Sequence, residues 1–120
     1  MRVLVTGGTG SVGRAVVREL VARGHEVKVV GRRPDQVIEG AAYQAVDITD
    51  FAALKAALAG FERVIHLAAV ASPGHVPDPQ LFDTNVSGTF KVYEACAAEG
   101  IGQVAVASSI NALGNLYGVR

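Results

Sequence analysis

The sequence predicts an α/β fold: an open parallel sheet of five strands in the order 3-2-1-4-5, with helices on both faces. Three observations predict it. Five short runs of β-branched and apolar residues are separated by segments of helical periodicity or turn signals within 120 residues. The first run, Arg2-Val3-Leu4-Val5-Thr6, passes straight into Gly7-Gly8-Thr9-Gly10-Ser11-Val12-Gly13, where an amphipathic helix takes over. A strand, a helix and a second strand in succession then imply a right-handed parallel crossover.

In the first helix Val12, Ala15, Val16, Leu20 and Val21 recur at helical spacing and are expected to form the buried face, with Gly24 as the stop. Val27-Lys28-Val29-Val30 is the second strand and leaves through Gly31-Arg32-Arg33-Pro34-Asp35. Residues 42–46 form a weaker third strand ending at Asp47-Ile48-Thr49-Asp50. An alanine-rich helix over 51–59 follows, capped by Asp50 or Thr49 and stopped by Gly60. Residues 62–69 read as a fully buried fourth strand ending in small residues, with His66 a hydrogen-bonded core histidine.

Between Val70 and Pro79 stand prolines 73, 77 and 79 with Gly74, so the chain leaves the sheet as a loop at its carboxyl edge, placed to cover a ligand. Pro79 suits the first turn of a long helix capped by Asp78 and ended by Gly100. Its expected buried stripe is Phe82, Val86, Thr89, Phe90, Tyr93 and Ala97. Residues 103–107 are the fifth strand, Ser108-Ser109 end it, and 110–120 read as a loop-like tail.

The chemistry gathers at the strand ends. Glycines 7, 10 and 13 leave no side chains between backbone and ligand, and the first-turn N–H groups at Ser11, Val12 and Gly13 aim the helix dipole at the same spot, which suits a pyrophosphate. Gly13 has the further task of letting helix and strand pack closely. Asp47, at a strand's carboxyl end, is placed to accept a hydrogen bond from an adenine amino group. Small residues at the end of the fourth strand let a flat ring lie against the backbone. After the second strand stand Arg32 and Arg33, with no carboxylate until Asp35. Arginines there attract a ribose 2′-phosphate and favour NADP over NAD; otherwise they are solvated loop charges. Asn85, near the packed face of the long helix, either hydrogen-bonds neighbouring loops or is a surface asparagine.

Composition narrows the rest. Half the residues are apolar, enough for one compact domain spanning 1–120. Eleven basic residues balance eleven acidic ones, so no strong field exists to hold nucleic acid or an anionic membrane. The single cysteine, Cys96, reads as a small buried residue, and histidines at 25, 66 and 75 form no metal cluster. With no signal peptide and no membrane-length apolar run, a soluble cytoplasmic setting is expected.

The set Thr6-Gly7-Gly8-Thr9-Gly10-Ser11-Val12-Gly13, Asp47-Ile48, His66-Leu67-Ala68-Ala69, Asn85-Val86-Ser87-Gly88-Thr89 and Ser108-Ser109 resembles the extended short-chain dehydrogenase/reductases, the NAD-dependent epimerase/dehydratase group. The resemblance covers essentially the whole chain, with five motifs in the family's order. It implies a Rossmann-like domain in which Gly7, Gly10 and Gly13 hold the pyrophosphate. Asp47 and the Ile48 backbone would meet adenine, Leu67, Ala68 and Ala69 would line the nicotinamide side, and Asn85 would hold the active-site edge. A serine after the fifth strand, Ser109 or else Ser108, would bind the substrate's reacting oxygen.

One departure matters. The family's acid/base is a tyrosine followed four residues later by a lysine, whose charge lowers the tyrosine's pKa. Here only Tyr117 follows the serines, and position 121 lies past the sequence. Tyr117 reads as a loop tyrosine preceding the true motif, or as the catalytic one in a clipped chain. A sixth strand and a substrate-recognising segment are missing as well, so the chain is expected to be the N-terminal cofactor part of a longer enzyme. The competing expectation is a non-catalytic dinucleotide-binding module, regulatory or engineered; a flavodoxin-like domain is a third reading. Self-association is expected through the side of the sheet and the 79–99 helix that those segments would otherwise cover.

Overall fold

A computed structural model describes residues 1–72 and 74–109. Five strands, β1 (Arg2–Thr6), β2 (Glu26–Gly31), β3 (Ala42–Ala45), β4 (Arg63–His66) and β5 (Val104–Val106), form one sheet in the order β3-β2-β1-β4-β5. Every pairing between them is parallel, with Thr6 opposite both Val30 and His66. The carboxyl ends of the three central strands therefore lie side by side.

Alternation along the strands builds a core on each face. Val3, Val5, Val27 and Val29 pack towards α1 (Ser11–Ala22), meeting Val17, Leu20 and Val21. Leu4, Val30 and Val64 point the other way, against α2 (Phe51–Leu58) and α4 (Gly88–Ala98). Leu4, Leu54 and Leu58 are fully buried there. This is the Rossmann-like arrangement, with the expected strand order.

Two helix faces differ from the expected ones. On α1 the buried residues are Gly13 and Val17, with Leu20 and Val21 packed on the core as expected, while Val12 is 65% exposed and Ala15 is also exposed. The close approach of Gly13 to Gly7 and Gly8 sets the helix rotation and turns Val12 outward. The long helix departs further. It divides into α3 (Asp78–Phe82), a π-helical turn over Asp83–Ser87, and α4, and its buried residues are Gly88, Val92, Ala95 and Cys96. Phe82, Val86, Phe90 and Tyr93 are 48–64% exposed and Ala97 is exposed too. Close packing on α2 and Ile48 selects small residues for the inward side. A Cβ on Gly88 would stand 2.7 Å from Ile48 Cδ1.

Helix ends follow local chemistry. Asp50 caps α2 by accepting from the Ala53 N–H at 3.1 Å. Asp78, expected as a cap, is instead the first residue of α3, because extended Pro77 precedes it and Pro79 occupies the first turn. Cys96 is buried, and burial pushes its thiol up to about 11. It should resist thiol reagents at about pH 8 until the chain is unfolded, a contrast that dye labelling with and without urea reads directly.

Candidate functional site

The carboxyl edge of the sheet carries a groove of about 380 Å³. Its floor begins where β1 stops. Gly7 takes a left-handed conformation, φ 71°, and a Cβ on it would lie 2.6 Å from the Ala68 nitrogen. The turn closes through Gly10 N–H to Gly7 O at 3.2 Å, and Gly10 leads into α1 with no side chain capping the helix. The first-turn N–H groups at Ser11, Val12 and Gly13 have no intrahelical acceptor by the geometry of any helix start. A Cβ on Gly13 would overlap Gly7 O and stand 2.6 Å from Gly8 Cα, so only glycine lets α1 begin this close to the turn.

The opposite wall comes from β2 and the segment after β3. Arg32 and Arg33 leave β2 exposed along the groove, and the Tyr43 hydroxyl donates to Arg33 O at 2.5 Å, which pins that loop. Burial raises the Tyr43 pKa against the pull of Arg33. Asp47 Oδ1 accepts from both the Thr49 N–H (2.9 Å) and the Thr49 hydroxyl (2.8 Å). That backbone N–H is the main reason the carboxyl lies below its ordinary range, with Arg32 and Lys91 adding to it and burial opposing it. Lys91 of α4 secures the same turn by donating to Thr49 O at 2.7 Å. Ile48 is 5% exposed, its side chain in the core beside Gly88.

The remaining side is the segment after β4. Leu67, Ala68 and Ala69 line the groove, and the N–H groups of Leu67 and Ala68 both donate to Thr6 Oγ1, at 3.2 and 3.1 Å. Next along, Asn85 grips Val70 twice, accepting from its N–H (2.7 Å) and donating to its C=O (3.0 Å). Asn85 therefore bonds a neighbouring loop.

Thus Gly7, Gly10, Arg32, Arg33, Asp47, Ile48, Leu67, Ala68 and Ala69 share one groove, while Ser11, Val12, Gly13 and Asn85 are not among its lining residues. Ser108 and Ser109 follow β5 as exposed residues outside the lining, and Tyr117 lies outside the described residues. Thr9, Tyr43, Val46 and Thr84 also line the groove and were not anticipated. Two of these carried a signal: Thr9 stands inside the glycine loop, and Tyr43 is an aromatic on an edge strand beside the arginine loop. Among the described residues no three His, Cys, Asp or Glu side chains gather as a metal site, and no helix is long and apolar enough to cross a membrane.

Residues 3–118 match the family described as the NAD dependent epimerase/dehydratase family. The chain belongs to that family. Sterol demethylase protein B of Methylococcus capsulatus is 37% identical over 118 residues, which are 95% of this chain and 36% of that protein. The chain therefore spans about a third of the length of that relative. UDP-glucose 4-epimerase of Klebsiella pneumoniae is 35% identical over 130 residues, covering 96% of this chain and 94% of that one. Among solved structures, the complex of Thermus thermophilus UDP-glucose 4-epimerase with NAD superposes with a TM-score of 0.76 at 38% identity, over 87% of this chain and 36% of that one. The epimerase/dehydratase fold thus accounts for the groove's place at the carboxyl edge, and the residues lining it fit a dinucleotide. Glycines open the backbone at one end, and a carboxylate held ionised stands at the other.

Within this epimerase/dehydratase domain His66 is 3% exposed between two hydroxyls, its Nδ1 2.7 Å from Thr6 Oγ1 and its Nε2 2.8 Å from Thr89 Oγ1. Burial holds its pKa below the ordinary 6.5. As pH falls below that value the unfolded chain takes up a proton that the folded chain refuses. The stability His66 contributes is therefore complete above about pH 6.5 and is lost as pH falls towards the folded pKa. The urea midpoint should drop from about pH 7.5 to about pH 5.5, and drop less in His66→Gln; equal drops would contradict this origin.

Proposed function

We propose that these residues are the dinucleotide-binding part of an NAD(P)-dependent epimerase, dehydratase or dehydrogenase acting on a sugar nucleotide or a similar alcohol or carbonyl substrate. The observation that carries the reading is the single groove running from the Gly7–Gly13 turn to Asp47 on one side and Leu67–Ala69 on the other. Gly7, Gly10 and the N–H groups at Ser11, Val12 and Gly13 hold the pyrophosphate. Asp47 Oδ1 is committed to its own turn, which leaves Oδ2 to accept from the adenine amino group. Leu67, Ala68 and Ala69 flank the nicotinamide, and Asn85 steadies their end. When bound, the cofactor supplies hydride transfer at the nicotinamide ring. Ser109, or else Ser108, positions the substrate oxygen.

Arg32 and Arg33, both exposed on the groove, carry the preference for NADP through charge-assisted bonds to a 2′-phosphate. Calorimetric titration of wild type and Arg32→Ala with NADP and NAD tests this part. NADP should bind more tightly and lose about tenfold in the variant while NAD changes little. Equal affinity in the wild type removes the preference.

No Tyr-x-x-x-Lys occurs within these residues, which favours a second reading for the 120 residues taken alone: nucleotide binding without turnover. Assaying hydride transfer with a panel of sugar nucleotides and ketones separates the two, since any turnover by this chain removes the second. Reading the coding frame past residue 120 tests the enzyme reading, which needs a Tyr-x-x-x-Lys there. The exposed apolar side chains of Phe82, Val86, Phe90 and Tyr93 support self-association through that helix, which light scattering at high concentration checks. A cytoplasmic setting belongs to the same proposal.

A further inference from the structure

The hydrogen bonds around His66 favour one arrangement of protons. The Thr89 hydroxyl donates to Asn85 O at 2.8 Å, so its single proton is used and it meets His66 Nε2 as an acceptor. Nε2 therefore carries the ring proton. Nδ1 is then the acceptor and takes the Thr6 hydroxyl proton at 2.7 Å. The Thr6 oxygen in turn accepts the N–H groups of Leu67 and Ala68. No buried side-chain nitrogen or oxygen among the described residues lacks a partner, and this chain of donors is closed in the same way.

The two ends of the chain matter more than its middle. One end, Thr6, sets residues 67 and 68. The other reaches the carbonyl of Asn85, inside the π-helical turn over Asp83–Ser87, and the Asn85 amide fixes Val70. Such turns are rare and recur at functional sites. Residues 67–70 are thus gripped at both ends by elements that His66 joins.

We infer that His66 is a positioning residue for the nicotinamide end of the groove: as the neutral Nε2–H tautomer it ties Thr6 of β1 to the π-helical turn, and so fixes the wall formed by residues 67–70. It touches no ligand. This role rests on the dinucleotide reading of the groove, and it divides the two ends of the ligand. Loosening the wall affects the nicotinamide half and spares the adenosine half, which sits by Asp47.

Two measurements test it. In the wild type, nitrogen-15 spectra of the imidazole should show a protonated Nε2 and an unprotonated Nδ1; the opposite tautomer, or a mixture, overturns the inference. Thr89→Val keeps the side-chain shape and removes the hydroxyl, whereas Thr89→Ser keeps the hydroxyl. By calorimetry Thr89→Val should weaken NADH and NADPH binding about tenfold while ADP stays within about twofold, and Thr89→Ser should recover the loss. Equal weakening of ADP, or unchanged reduced-dinucleotide binding, overturns the role. A wild-type chain that binds neither ADP nor a reduced dinucleotide overturns the groove reading and this role together, and the wild-type titrations distinguish that result from the others.

Discussion

Gly13→Ala is expected to abolish dinucleotide binding and to cost about 2 kcal/mol of stability. The added Cβ would overlap Gly7 O and sit 2.6 Å from Gly8 Cα, and both are backbone atoms with no rotamer to yield. A clash against fixed backbone stands at the top of the overpacking range, about 3 kcal/mol, against about 1 kcal/mol gained from alanine's better helix propensity. The clash wins, because relieving it requires α1 to withdraw from the turn that it closes. Gly10→Ala is the control. Its nearest non-neighbour atom is Gly7 O at 3.5 Å, an ordinary contact, so its stability should stay within about 1 kcal/mol of wild type. Urea midpoints measure the stability term and calorimetry the binding. A Gly13→Ala chain as stable as wild type would show that the helix start is not held by this contact.

Thr6→Val should destabilise by about 2–4 kcal/mol although the two side chains have nearly the same volume. The hydroxyl is fully buried and serves three partners: two N–H groups that it accepts and the His66 nitrogen to which it donates. Valine leaves the Ala68 N–H and Nδ1 of His66 without their partner, while the Leu67 N–H keeps the Thr6 carbonyl at 3.1 Å, and each unmet buried polar group costs about 1–3 kcal/mol. Denaturant titration reads the loss. A change under about 0.5 kcal/mol would mean that water or a shifted backbone replaces the hydroxyl.

The sheet was legible because its signal is local. Every strand but β3, which is Ala-Tyr-Gln-Ala, carries β-branched residues in a short run bounded by glycine or a turn, and Gly24, Gly60 and Gly100 end helices in the left-handed conformation expected of them. The groove's glycines, its arginines and Asp47 were legible for a related reason: they stand at strand ends, where residue type and position coincide. Helix rotation was not legible. Phe82, Val86, Phe90 and Tyr93 form a regular apolar stripe, yet the sheet side of that helix is taken by Gly88, Val92, Ala95 and Cys96, since small residues let α4 approach α2 and Ile48. Apolar periodicity identifies a stripe without saying which neighbour claims it. The π-helical turn escaped too, because it depends on Asn85 meeting Val70 across the fold. His66 was readable as a hydrogen-bonded core residue, but its partners Thr6 and Thr89 lie 60 and 23 positions away.

In the function proposed above, the groove between the Gly7–Gly13 turn and Asp47 binds a nicotinamide dinucleotide. Calorimetric titration of the 120-residue chain with NADP, NAD and flavin mononucleotide in parallel tests it most directly. Saturable one-site binding of a nicotinamide dinucleotide is expected, in the micromolar range or weaker, with no comparable binding of the flavin. Heat from the flavin alone, or from none of the three, would contradict it.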